Sequence, residues 1–286
     1  MGVLSRSLAV TRVSFGVILR DRELLLFPIL SAICSVSFVV AMLYPTLIIE
    51  GAVQRQSELE PVAYLMMFAT YFGLSFITTF FNVCVVSTAR TRFGGGDATF
   101  GESLGVALRR LPQIFAWSVV SASVGVLLAG LERSTRSSGP LARALAAVTR
   151  AIVGTAWTIA TLFVVPAMVY EGVGPFGAIG RSVDALRKTW GESLVRHYGL
   201  GWAFSLLLML GLGGFAIAAF VLTPAGGETL FVTIAGFAGL YVVLLFLLFT
   251  LANAVFNTAL YHYARTGQVP GRFDEDVLKE ALVKDS

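Results

Sequence analysis

Residues Thr229–Tyr261 read TLFVTIAGFAGLYVVLLFLLFTLANAVFNTALY, without one Asp, Glu, Lys or Arg. A helix needs about 20 mostly apolar residues to cross the hydrocarbon core of a bilayer, and this run exceeds that length. It shows no period-two alternation, and a membrane strand needs only about 10 residues, so the run reads as a transmembrane helix. Five further stretches meet the same criterion: 24–49, 62–88, 111–131, 151–170 and 198–222. The second and the sixth are long enough to tilt or to project beyond the bilayer. The expected fold is all-α, a polytopic membrane protein with six transmembrane helices.

Composition points the same way. Of 286 residues, 56% are hydrophobic and 13% charged, against about 45–50% and about 25% in soluble proteins. Mean hydropathy is +0.81. A soluble fold of this size cannot hide so much apolar surface, which excludes a soluble enzyme, a disordered chain and a disulfide-framed secreted domain. Cys34 and Cys84 both lie in apolar runs, without the spacing of a metal site.

The basic residues sort by side. Arg6, Arg12, Arg20 and Arg22 precede the first span, and Arg90, Arg92, Arg109 and Arg110 occupy the second loop. Arg181, Arg187, Lys188 and Arg196 occupy the fourth loop, and Arg265, Arg272, Lys279 and Lys284 follow the last span. These sixteen share one side; Arg55, Arg133, Arg136, Arg143 and Arg150 are the five on the other. The excess places both termini in the cytoplasm. The net charge of +4 then reports orientation, and no nucleic-acid partner is expected. Residues 1–265 are expected to form one six-helix domain, followed by a cytoplasmic tail at 266–286.

Compared with itself, the chain repeats. Span two ends in FNVCVVSTART (Phe81–Thr91) and span six in FNTALYHYART (Phe256–Thr266). A second echo occurs three times, around Leu4–Leu8, Phe100–Leu104 and Ile179–Val183, each with a serine fourth: Ser7, Ser103 and Ser182. Each opens an amphipathic segment that leads into an odd-numbered span. In the third, Phe176, Ile179, Val183, Leu186 and Trp190 fall on one helical face, with charges largely opposite. In the second, Thr99 and Glu102 form a predicted capping box. The expected unit is an interfacial amphipathic helix plus a transmembrane hairpin, used three times.

Three stretches carry a resemblance: RDRELLLFPIL (Arg20–Leu30), FVVPAMVYEGVGPFGAIGRSVDALRKTWGE (Phe163–Glu192) and ALYHYARTGQVPGRFDEDVLKEAL (Ala259–Leu282). On these the chain resembles an uncharacterised family of six-span prokaryotic integral membrane proteins, defined by a domain of unknown function. The layout is more distantly similar to the membrane domain of some glycerophosphodiester phosphodiesterases. The resemblance implies a fold and a compartment, the prokaryotic plasma (inner) membrane, and no site residues.

Convergent titratable groups, which catalysis requires, are scarce. His197 and His262 stand at span ends, outside any zinc spacing, and no GxSxG elbow or P-loop is present. No catalytic residue, metal or cofactor is expected. No ionisable residue lies mid-span, which argues against a proton- or cation-coupled carrier of the usual kind. Neutral polarity remains: Thr78 and Asn82 in span two, Asn253 and Asn257 in span six. These are candidate intramembrane polar contacts, either between helices or along a polar-lined cavity. Glu171, just after span four, is a candidate interface ion pair with Arg90 or Arg265. Arg133, Arg136, Arg143 and Arg150 defy the charge asymmetry, and either contact an external partner or lipid or form a solvated face. Small residues four apart (Ser121, Gly125 and Ala129; Gly214 and Ala218; Ala235 and Gly239) permit close helix approach, within the chain or between subunits.

The expected function is a non-catalytic membrane scaffold or accessory subunit, self-assembling as an oligomer or joining a larger membrane complex. The alternative is a pore or carrier for a neutral or lipid-like solute, which would need the asparagines to converge on a hydrated cavity. The expected partners are the lipid bilayer and other copies or membrane proteins.

Overall fold

The computed structural model describes residues 22–53, 60–135, 139–190 and 199–268. Among these residues the chain forms helices and no strand: α1 (Arg22–Val53), α2 (Glu60–Phe93), α3 (Phe100–Arg109), α4 (Leu111–Thr135), α5 (Pro140–Ala160), α6 (Val164–Glu171), α7 (Pro175–Trp190) and α8 (Gly199–Thr266). Six stretches are long and apolar enough to cross a membrane: Leu24–Ile48, Pro61–Phe93, Leu111–Leu131, Pro140–Glu171, Phe204–Leu222 and Gly227–Thr266. Each overlaps one of the expected spans.

Spans five and six both lie in α8, which leaves helical geometry at Gly227 (φ 66°, ψ −162°). The two arms run antiparallel. Phe204 meets Phe249 edge-on at 5.3 Å, and Phe215 meets Tyr241 at 5.8 Å. The Tyr241 hydroxyl donates to the Leu207 carbonyl at 2.6 Å, fixing the register of the pair.

Span four is broken between α5 and α6, at Thr161–Phe163. The sequence contains the reason. Pro166 has no N–H for the Leu162 carbonyl four residues earlier, and its ring crowds that carbonyl. The break frees the buried Phe163 N–H, which donates to Ser182 Oγ of α7 at 3.0 Å.

The short helices α3 and α7 immediately precede spans three and five, where the repeat places them. Thr99 caps α3 in a complete box, its hydroxyl accepting from Glu102 N at 3.3 Å and its own N–H donating to Glu102 Oε2 at 3.0 Å. Phe100 then stacks on Phe27 of α1 at 4.9 Å. Both repeated serines are buried. Ser103 shares a 2.7 Å hydrogen bond with Thr88 of α2, as Ser182 bonds the break in span four. The first echo, Leu4–Leu8, lies outside the described residues.

The buried face of α7 overlaps the expected one, with Leu186 buried and Ile179 packed against the core, but is shifted toward small side chains. Ala178, Ser182, Ala185 and Leu186 are buried, whereas Phe176 is 77% exposed. Small side chains let the helix lie close enough for Ser182 to reach the Phe163 N–H, and the bulkier Phe176 is turned outward.

Burial is uneven along the spans. The core gathers Leu24 and Phe27, Val83–Val86 and Ala89, Ile114, Phe163–Val169, and Leu251, Ala252, Val255 and Ala259–Tyr261, all toward the end that carries Arg90, Arg181 and Arg265. Toward the other end Val40, Leu47, Leu145, Ile152 and Phe220 are exposed. Lipid tails are as apolar as leucine, so such surface needs no protein cover in a bilayer.

Candidate functional site

Among the described residues, two places gather polar chemistry. The first is the arginine-bearing end of the bundle, built around the C-terminus of α6. The last carbonyls of a helix lack intrahelical donors. Arg90 Nη1 supplies one, donating to the Val169 carbonyl at 3.0 Å. Gly172 supplies the turn itself: its φ of +68° is left-handed, and its N–H donates to the Met168 carbonyl at 3.0 Å. Arg110 lies over Gly172 so closely that a Cβ there would collide with its guanidinium.

Tyr170 stands at the centre. The Arg90 guanidinium lies 4.7 Å from its ring centroid and that of Arg265 5.9 Å. These are the two arginines of the repeated Ala-Arg-Thr, brought from α2 and α8 onto one ring. The Tyr170 hydroxyl is 3.4 Å from His262 Nδ1, and the His262 ring meets Phe93 at 6.3 Å.

Glu171 is the carboxylate of this cluster, and its partner is not the expected one. Arg181 Nε donates to its Oε2 at 2.9 Å, and the Tyr261 hydroxyl to its Oε1 at 2.6 Å. Arg90 and Arg265 are held instead by the Val169 carbonyl and the Tyr170 face. The cause is geometric: α7 folds back beneath α6 and presents Arg181 to the carboxylate.

The second place is a cleft of about 360 Å³ along α2, lined by Tyr71, Leu74, Ser75, Thr78, Thr79, Asn82, Trp117, Ser121 and Val165. Thr78 donates back to the Leu74 carbonyl at 2.7 Å. Asn82 Oδ1 is buried without a hydrogen-bond partner. Thr78 and Asn82 therefore share this cleft, but Asn253 and Asn257 are not among its lining residues. Those two are half-buried on α8.

Across the matched helices a family assignment follows. Residues 61–271, from the first turn of α2 to just beyond α8, match a family of unknown function, DUF6159. The chain belongs to that family. No curated protein matches it. The family stretch holds the whole Tyr170 cluster and the cleft, and leaves out span one.

The remaining candidates stand apart from both places. Arg143 and Arg150 are exposed on α5, which opens at Pro140 after the Gly139 N-cap. Arg133 lies in the last turn of α4 with its side chain outside the described portion, and Arg136 lies outside the described residues. Of the small-residue pairs, Gly125 would place a Cβ 3.3 Å from the Tyr71 ring, an internal contact, whereas Gly214 and Gly239 have nothing within 4 Å. Tyr170, Tyr261 and Arg181 were not singled out as site residues from sequence. The signal that marks them is adjacency to Glu171 and to the two repeat motifs.

Proposed function

We propose that the protein is a non-catalytic integral membrane scaffold or accessory subunit of the prokaryotic plasma membrane, with both termini cytoplasmic, that self-assembles or joins a larger membrane complex. Span five carries this reading. None of its apolar window is buried within the chain, yet Gly213 and Gly214 leave its surface smooth, with nothing within 4 Å of either position. Small residues on a membrane helix favour the close approach of another helix. A photo-crosslinking residue replacing Gly213 is expected to capture a discrete protein partner, a second copy or another polypeptide, in the native membrane. The same group at Leu127, an exposed position on span three, is expected to capture lipid alone. Equal, diffuse labelling from both positions contradicts the reading.

The cleft along α2 favours a second reading, a carrier for a neutral solute. Its hydroxyls and the unpartnered Asn82 oxygen offer hydrogen bonds without charge. In proteoliposomes this reading expects flux of a small polyol that Asn82→Leu abolishes. Unchanged flux in that variant contradicts it.

A further inference from the structure

We infer that the Arg90–Tyr170–Arg265 cluster is a binding site for a phosphate-bearing anion. This goes beyond the scaffold reading and does not depend on it. The argument starts from charge balance. Arg90, Arg110, Arg181 and Arg265 all reach the end of α6, with the His262 ring beside Tyr170. Glu171 is the carboxylate that faces them, and both of its oxygens are taken, one by Arg181 and the other by the Tyr261 hydroxyl. The neighbouring Asp97 is paired with Arg92. Arg90 and Arg265 thus hold two like charges on one aromatic ring, with no carboxylate assigned to either among the described residues.

Their geometry suits an oxyanion. A guanidinium offers five N–H donors in a planar fork that matches phosphate. Among the described residues, Arg90 has one hydrogen bond, to the Val169 carbonyl, and Arg265 is placed by the Tyr170 face. Both guanidinium carbons lie within about 6 Å of the Tyr170 ring centre, close enough for one oxyanion to draw charge-assisted hydrogen bonds from both. The cluster lies at the ends of α2, α6 and α8, all three parts of membrane-crossing stretches. Basic pockets between membrane helices at that depth are suited to anionic headgroups. The shared chemistry is a phosphate mono- or diester anion, supplied either by a lipid headgroup or by a soluble phosphate.

Full-length protein is incorporated in vesicles of equal parts phosphatidylcholine and phosphatidylglycerol, released into the gas phase, and the retained lipid is counted by native mass spectrometry. In parallel, inorganic phosphate is titrated against thermal unfolding in neutral detergent. Arg265→Gln is the decisive variant, because Arg265 caps no helix and its loss leaves the Val169 and Glu171 contacts in place. Arg109→Gln removes equal charge from the same end, where Arg109 Nε is bonded within its own helix to Gly105. Preferential retention of phosphatidylglycerol that falls about fivefold in Arg265→Gln and less than twofold in Arg109→Gln supports the site, with lipid as its source. Stabilisation by inorganic phosphate that Arg265→Gln alone removes, without a lipid preference, supports it with a soluble phosphate as source. Equal behaviour of wild type and Arg265→Gln with both probes, or an equal loss in Arg109→Gln, overturns it.

Discussion

Phe163 carries a buried backbone N–H at the break in span four, and Ser182 Oγ accepts it at 3.0 Å. Ser182→Ala removes this buried interhelical hydrogen bond and is expected to cost about 1–3 kcal/mol. Ser103 is buried equally well but is less critical. Its partner Thr88 also donates to the Cys84 carbonyl at 3.1 Å, so Ser103→Ala removes only an interhelical bond, about 0.6 kcal/mol. Unfolding of the detergent-solubilised variants in a dodecyl sulfate titration ranks the two, and equal losses would contradict this account. The same reasoning separates the partners of Glu171. The Arg181 side chain is 56% exposed, so Arg181→Gln is expected to lose less than about 1 kcal/mol. Tyr261 is buried and donates to a charged acceptor at 2.6 Å, so Tyr261→Phe is expected to lose about 1.5–3 kcal/mol. The same titration checks that order.

At the scale of elements, the break in span four and the docking of α7 are one device. Pro166 opens the helix, and Ser182 satisfies what the opening frees. Pro166→Ala would restore the bond to the Leu162 carbonyl and let α5 run into α6, so the Ser182→Ala penalty should shrink in that background. A double-mutant cycle measures this coupling, and additive losses would show that the two features are independent. The six spans were legible because an apolar run of sufficient length in lipid has few alternatives to a helix. The capping box at Thr99–Glu102 was legible because it is local. The break at Thr161–Phe163 was within reach, since Pro166 stands in the sequence, but a proline four residues downstream only marks where a helix can open. What lets it open is the remote Ser182. The exposure of Phe176 was not legible for a similar reason: the apolar stripe includes it with Ile179 and Leu186, while the tight fit against span four selects Ala178, Ser182 and Ala185.

For the whole molecule, the repeat announced the architecture and understated the site. Its arginines, Arg90 and Arg265, lie far apart in sequence and meet on Tyr170 because the spans converge at that end. Which arginine neutralises Glu171 depends on how α7 lies against α6, and no local pattern encodes that. The four asparagine and threonine candidates divided likewise: Thr78 and Asn82 line the cleft, while Asn253 and Asn257 are not among its lining residues. The spans pack tightly at the arginine-bearing end, while span five, packed along one side by span six, has no fully buried residue in its apolar window, an arrangement that supports a subunit built to be joined. Native mass spectrometry of the untagged protein, extracted from its own membrane in a polymer disc, tests that claim most directly. The account predicts an assembly of fixed stoichiometry, with copies of itself or with other polypeptides. A lone monomer carrying only lipid would contradict it.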